Sequence, residues 1–262
     1  VKNLVIKCGG SIVDQLPDAF YKNIAALAKA KGVNPIIVHG GGPMISSHLK
    51  QMNVATTFVD GLRVTTHEVL DVVEMVLSGS INKQMVRKLN EQQGKAVGIS
   101  GVDGNLLVAT PIGTTEKIGY VGQVEQVNTP FIKTMIKQDY IPVISPIAIG
   151  PHQQRYNVNA DTAAAAIASA LSAPLCFVSD IDGIYVGEEV LRVADPLKIE
   201  QLIADQVING GMIPKVRGAI DALKSGVTEV AILNGMNPNS IAQFINGATV
   251  GTRIYLKEVA HA

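Results

Sequence analysis

Residues 36–44 read IIVHGGGPM. Three aliphatic residues and a His run into three glycines and a proline, and an amphipathic pattern follows. The aliphatic run reads as a buried strand. A tight turn at its end needs one glycine, or two at most. Three imply that the backbone comes close to something with no side chain in the way. The free N–H groups of a following helix would point at the same spot, and the natural occupant there is an anion.

Outward from this stretch, strands and helices alternate. NLVIKCGGS is a strand ending in glycines, and residues 18 to 31 carry Phe20, Ile24, Leu27 and Ala28 at helical spacing. After the glycines a helix is expected from about Ile45 to Met52. HEVLDVVEMVLSGSINKQMVRKLNEQQ reads as a long helix, with a break expected at Ser78-Gly79-Ser80. KAVGISG is a third strand, and the β-branched runs within 104–127 suit antiparallel hairpins. A helix (PFIKTMIKQD), a strand (IPVISPIAIG), an Ala-rich helix (NADTAAAAIASALS) and a strand (PLCFVSDIDG) come next. PLKIEQLIADQVI, MIPKVRGAIDALKSG, the strand EVAILNG, the helix SIAQFING and a last strand GTRIYL complete the chain. This βαβ alternation predicts an α/β fold, a three-layer αβα sandwich around an open, mainly parallel sheet. No linker or repeat divides the 262 residues, so they form a single domain. Any division into two lobes falls near residue 150, where composition changes.

Composition agrees. The hydrophobic fraction is 47% with 4% aromatics and no Trp, so the core is built of Val, Ile, Leu and Ala, as suits strands buried on both faces. With 22 basic and 22 acidic residues there is no electrostatic footprint for nucleic acid or an anionic membrane. Cys8 and Cys176 lie far apart in apolar runs, which fits a reduced chain and no metal site. VKNLVIKCGG enters a strand at once, leaving no room for a signal peptide, and no apolar run suits a bilayer span. The expectation is a soluble, cytoplasmic protein.

Ligands of open α/β sheets collect at the carboxyl ends of strands. Five constellations fall at such ends or at helix starts: KCGGS with Lys7, Gly9 and Gly10; the Gly40–Gly42 run; GLRVT with Arg63 after a turn; YNVNAD with Asn157, Asn159 and Asp161; and GGMIPKV with Lys215. Singly, each has a bland explanation. Glycines make turns, a terminal Lys is often a solvated tip, and Asp161 or Asn159 would cap the Ala-rich helix. Arg63 and Lys215 could be surface charges. No Gly-Lys-Ser/Thr follows either glycine run, and neither has the G-x-G-x-x-G spacing. Jointly they supply two banks of N–H groups, two lysines and an arginine in a chain with no general positive excess. Phosphoryl transfer to a small anionic acceptor needs this equipment: in-line placement and neutralised charge rather than covalent chemistry.

KCGGS, HGGGP, GLRVT, NVNADTAA, SDIDGIY and GGMIPKV, in this order, resemble the amino acid kinase family from Lys7 to the terminal GTRIYL. The resemblance implies a carbamate-kinase-like fold whose N-terminal lobe, about 1–150, binds the amino acid and forms a homodimer. Its C-terminal lobe, about 151–262, would bind ATP. GLRVT and NVNAD fit acetylglutamate as the acceptor, implying ATP-dependent phosphorylation of the γ-carboxylate of N-acetyl-L-glutamate in arginine biosynthesis. Acetylaminoadipate, aspartate, glutamate, carbamate and UMP kinases share the scaffold, and a non-catalytic ligand sensor on it is the alternative from another class. By resemblance Lys7 and Lys215 stabilise the transferring phosphoryl group and Asp161 holds both lysines. Gly9, Gly10, Gly41 and Gly42 offer N–H groups. Arg63 and Asn157, with Asn159 nearby, grip the acceptor. Asp180, Ile181, Asp182, Gly183, Ile184 and Tyr185, with Val207, Ile208 and Asn209, line the nucleotide pocket. Mg2+ would be held mainly by ATP phosphates, with no protein ligand. Cys8 departs from the family's usual aliphatic residue and reads as a core filler. Arginine-inhibited members carry a helix before the first strand; here that strand is under way by Asn3 or Leu4, so a homodimer insensitive to arginine is expected.

Overall fold

The computed structural model of the protein describes residues 2–30 and 32–256. Eight strands form the central sheet: β1 (Lys2–Cys8), β2 (Val33–His39), β3 (Ala96–Ser100), β4 (Ile141–Ser145), β5 (Leu175–Ser179), β6 (Val193–Ala194), β7 (Val230–Asn234) and β8 (Thr252–Ile254). Their order is β6-β8-β7-β5-β1-β2-β4-β3. The six strands from β7 to β3 are mutually parallel; β8 runs antiparallel to β7, and β6 follows β8. The helices are α1 (Asp18–Lys29), α2 (Gly42–Gln51), α3 (His67–Glu74), α4 (Asn82–Glu91), α5 (Thr129–Lys137), α6 (Ala160–Ala170), α7 (Pro196–Ala204), α8 (Met212–Lys224) and α9 (Ser240–Ile245), besides one four-residue turn at Thr115–Ile118.

Strand side chains alternate between the two faces. On β1, Leu4, Ile6 and Cys8 join one core layer with Ile37 and Cys176, whereas Val5 joins the other with Ile36, Val38 and the alanines of α6. The two cysteines are buried and free. Residues 2–8 of β1 pair with 33–39 of β2, and β5 flanks β1 on its other side. The chain therefore leaves β1 in one direction and returns later to the other, which makes the carboxyl end of β1 the topological switch point.

Three departures from the sequence reading have physical causes. The helix after the glycines begins at Gly42, three residues earlier than expected, because Pro43 is preset for a first helical turn. Ser78-Gly79-Ser80 does not break the long helix; a π-helical stretch over Met75–Ile81 carries it from α3 into α4, and Ser78 Oγ meets Ser145 Oγ at 2.8 Å. The expected strand IPVISPIAIG is two strands. Pro146 has no N–H to continue the ladder, and Ile147–Ile149 turns away into a small barrel with Leu107–Pro111, Val121–Val127 and Arg155–Val158. The expected antiparallel hairpin within 104–127 is part of that barrel, and Arg155–Val158 is a strand additional to the expected elements. The helix expected over 18–31 runs to Lys29; residue 31, like 257–262 of the expected C-terminal lobe, lies outside the described residues. Among the described residues no helix is long and apolar enough to cross a membrane.

His39, the last residue of β2, is fully buried, and burial pushes its imidazole down to about 4. The unfolded chain takes up a proton near pH 6.5 that the folded chain refuses until about pH 4. The stability that His39 contributes as a neutral ring is therefore complete above pH 6.5 and lost as pH falls towards 4. The loss at pH 4.5 is on the order of 2–3 kcal/mol. Urea unfolding at pH 7.5 and 4.5 checks this: wild type should lose about that much more than His39→Asn, which shares its carboxylates.

Candidate functional site

The parity of β1 directs Lys7, like Val5, to the face covered by α6. Asn159 occupies the N-cap of that helix, its Oδ1 accepting from the N–H groups of Asp161 at 2.8 Å and Thr162 at 3.3 Å. With the cap filled by Asn159, the Asp161 carboxylate is released for another partner. Lys7 Nζ donates to its Oδ1 at 2.7 Å. The lysine side chain is largely covered and the carboxylate is half open to the cleft.

The two glycine loops meet beside this pair. A Cβ on Gly10 would lie 2.4 Å from Gly41 N, and one on Gly41 would lie 2.3 Å from Ile81 Cδ1 and 2.7 Å from Leu77 Cδ2. At Gly10 the obstacle is backbone, which leaves no room for a side chain; at Gly41 it is the tips of two side chains. Gly41 caps α2 without a side-chain acceptor, so the first N–H groups of that helix face outward. Gly9 differs from the expectation: its N–H donates to Val178 O at 3.2 Å, which removes it from the set of available donors.

Arg63 follows a tight turn in which Asp60 and Gly61 have φ of 49° and 78°, joining Phe58–Val59 to Leu62–Arg63. Its guanidinium donates to Thr56 Oγ1 at 2.9 Å, Ser46 Oγ at 2.7 Å and Gly42 O at 3.2 Å, and lies 4.7 Å from the centre of the Phe58 ring. The residue is 8% exposed, and burial lowers its pKa from the usual arginine value. Among the described residues no carboxylate lies within ion-pair distance of it. Asn157 Nδ2 donates to Thr65 Oγ1 at 3.1 Å, and Thr65 Oγ1 to Arg63 O at 2.8 Å, so the amide and the arginine share one frame.

A single cleft of about 360 Å³ is lined by Lys7, Gly10, Gly41, Gly42, Arg63, Asn157, Asn159 and Asp161. Four of the five constellations thus converge. Ser46, Thr56, Phe58, Leu77 and Ile81, which position Arg63 and the glycines, have no sequence signal beyond helical or turn spacing.

The fifth constellation stands apart from the cleft. Lys215 Nζ approaches Asp180 Oδ1 at 3.7 Å rather than Asp161, so Asp161 holds one lysine here and not two. Of the residues expected to line a nucleotide pocket, Ile184 and Ile208 are instead core residues, buried at 1% and 2% exposure. Gly183, at φ 145°, has no room for a Cβ beside Thr252 Oγ1. Asp182 accepts from Asn234 Nδ2 at 2.9 Å and Tyr185 OH at 3.1 Å, at the rim of a second cavity of about 320 Å³. Asp180, Tyr185, Val207 and Asn209 are exposed, with Ile181 half-buried. Ser179, at the end of β5 before Asp180, has a buried hydroxyl without a hydrogen-bond partner among the described residues.

Comparison with known proteins supplies the class. The amino acid kinase family model matches residues 2–234. A protein of Oceanobacillus iheyensis named acetylglutamate kinase is 48% identical over 262 residues, covering 98% of each chain. The structure of smu.665 from Streptococcus mutans superposes with a TM-score of 0.82 at 28% identity, covering 97% of this chain and 98% of that one. Carbamate kinase of Giardia, at 16% identity and a TM-score of 0.70 over 98% and 99% of the two chains, shares the fold. The chain belongs to the amino acid kinase family.

The two acidic and amide groups at the start of α6 separate in stability. Asn159→Ala removes the cap and should cost about 1 kcal/mol. Asp161→Asn loses only a partly exposed ion pair and should change stability by less than about 1 kcal/mol. Chemical denaturation of both variants at pH 7.5 reads the difference.

Proposed function

We propose that the protein transfers the γ-phosphoryl group of ATP to the γ-carboxylate of N-acetyl-L-glutamate, giving the acyl phosphate and ADP, a step of arginine biosynthesis. The observation that carries this reading is Arg63: a buried guanidinium without a counter-ion among the described residues, lining a cleft with glycines and Lys7. An isolated buried cation is costly, and a bound carboxylate offsets that cost through two-pronged hydrogen bonding. The name carried by the Oceanobacillus relative supports acetylglutamate as the acceptor.

In this reading Arg63 holds the acceptor's α-carboxylate and Asn157, with Asn159 nearby, its acetamide end. The γ-carboxylate is already ionised near neutral pH, so its attack on phosphorus requires no general base. One oxygen–phosphorus bond forms as the bond to the ADP oxygen breaks. Negative charge on the equatorial oxygens meets the N–H groups of Gly10, Gly41 and Gly42 and the Lys7 ammonium. Asp161 positions Lys7. Lys215 serves the nucleotide side with Asp180, Ile181, Asp182, Gly183 and Tyr185, and with Val207 and Asn209. The anionic group of the cleft, Asp161, is neutralised by a lysine. That donor set fits Mg2+ carried by ATP phosphates and water, where the ion neutralises phosphate charge.

The same proposal divides the chain near residue 150 into an acceptor lobe and a nucleotide lobe, and places it in the cytoplasm as a homodimer joined through the first lobe. Met52 and Met75, each 54% exposed beside a cleft of about 890 Å³, support that contact surface.

A coupled ADP-release assay with acetylglutamate, acetylaminoadipate, glutamate, aspartate and UMP tests the assignment. Turnover should be greatest with acetylglutamate; turnover with none of them would leave a ligand sensor. Lys7→Ala should lower kcat on the order of 10²-fold or more while KM changes little. Arg63→Lys keeps the charge but not the fork, and should raise KM for acetylglutamate while leaving KM for ATP nearly unchanged. Initial-rate kinetics against each substrate read both outcomes.

A further inference from the structure

Behind the glycine loop lies a buried polar chain that the proposed reaction does not use directly. Asn82, fully buried, points its Nδ2 at Val143 O (2.9 Å), Ile99 O (3.3 Å) and His39 Nε2 (3.3 Å). Its Oδ1 accepts from Lys83 Nζ at 3.0 Å, and that ammonium also reaches Gly98 O at 2.9 Å. Carbonyl oxygens only accept, and an ammonium only donates, so the orientation of the amide is fixed by its neighbours. The Asn82 amide has two hydrogens for these three acceptors, so the ring is read from its other side: the Gly40 carbonyl only accepts, and His39 Nε2 faces the amide without a proton. The neutral ring then carries its proton on Nδ1, which lies 3.1 Å from Gly40 O.

The consequence falls on the next peptide. Gly40 C=O and Gly41 N–H belong to one planar trans unit and point in opposite directions. Holding the carbonyl towards the buried ring turns the Gly41 N–H away from it; Gly41 lines the cleft, and no backbone acceptor of the described residues meets its N–H. The other flank of the loop is held by Leu77 and Ile81, whose tips leave Gly41 no room for a Cβ. Both come from the π-helical stretch Met75–Ile81 that ends where Asn82 begins. Ile81, its last residue, and Asn82, the next one, are both buried.

We infer that His39 is a positioning residue, acting with Asn82: its Nδ1–H fixes the Gly40 carbonyl and thereby aims the Gly41 N–H at the phosphoryl oxygens. The inference rests on the function proposed above for its catalytic consequence, and on geometry alone for the peptide orientation. It gives the ring a task distinct from packing. A ring that only filled space would be replaceable by any side chain of similar volume once the protein had folded.

The tests separate these parts. In wild type labelled with ¹⁵N-histidine, the five ring systems are resolved by NMR at pH 7.5, with His39 assigned by its absence in His39→Asn. Protonated Nδ1 and unprotonated Nε2 are expected; the opposite tautomer overturns the inference. Among variants, Asn places an amide nitrogen near the position of Nδ1, whereas Gln reaches only the position of Nε2. His39→Gln should lose roughly 10- to 100-fold in kcat, with both KM values within about threefold of wild type, as expected when a donor is misaimed. His39→Asn should stay within about fivefold of wild type. Equal turnover of the two folded variants assigns the ring to packing and overturns the inference. The Gly41 amide resonance of the ligand-free protein should move in His39→Gln and hold in His39→Asn; the reverse overturns it. Should the wild type phosphorylate no acetylated amino acid, the proposed function falls, while tautomer and Gly41 amide still decide the peptide orientation. Should His39→Gln fail to fold, the wild-type tautomer decides.

Discussion

The backbone of Gly10 lies against the backbone of Gly41. A single methyl group on Gly10 would stand 2.4 Å from the Gly41 nitrogen and 2.9 Å from that of Gly42. Two loops from adjacent parallel strands approach this closely because Gly10 puts no side chain between them. Everything else in the cleft follows from the contact. It brings the start of α2 next to the end of β1, so that N–H groups from separate strands face one small volume. It also sets the distance from Lys7, on β1, to Arg63, whose guanidinium is tied to the Gly42 carbonyl and Ser46 at the start of α2.

Within that volume the two cations are treated differently. Lys7 has a carboxylate at 2.7 Å, whereas among the described residues Arg63 has neutral hydroxyl and carbonyl acceptors. Pairing with Asp161 fixes the direction of a flexible ammonium without removing it from the cleft. The arginine needs no such restraint: three hydrogen bonds and the Phe58 ring already hold its planar fork. Among the described residues no anion pairs with it. In a chain of zero formal net charge, specific attraction of an anionic ligand comes from this local imbalance rather than from any long-range field.

The side proposed for the nucleotide is held more loosely. Lys215 and Asp180 are separated by 3.7 Å and both partly exposed, a contact worth little in water. Little energy therefore opposes a change of partner for that lysine when a polyanion arrives. The contrast with the short Lys7–Asp161 pair divides the site into one side built in advance and one side left open. Two residues that sequence order groups with the nucleotide, Ile184 and Ile208, belong to the core because strand and turn geometry turns their side chains inward.

Local sequence determined most of the framework. Aliphatic runs ending in glycine specified buried strands, helical spacing specified the covering layers, and their alternation specified a mainly parallel sheet, because each signal lies within a few residues of the element it creates. The residue types of the cleft were legible for the same reason: glycines at strand ends, a lysine, an arginine after a turn and an Asn-x-Asp before an alanine run. Their partners were not. Whether Asn159 or Asp161 caps α6 depends on where Lys7 stands, 152 to 154 residues earlier in the chain. The fate of Ser78-Gly79-Ser80 depends on Ser145 and on the loop that Leu77 and Ile81 support, so a local breaker signal became a π-turn. Pro146 was visible, but its effect of sending a strand into a separate barrel needed the neighbouring ladder. Sequence fixes what each segment can form by itself, through dihedral preference and periodicity. Which donor meets which acceptor, and which glycine lies where no Cβ fits, is set by contacts between segments far apart in the chain, and those exist only once the sheet has assembled.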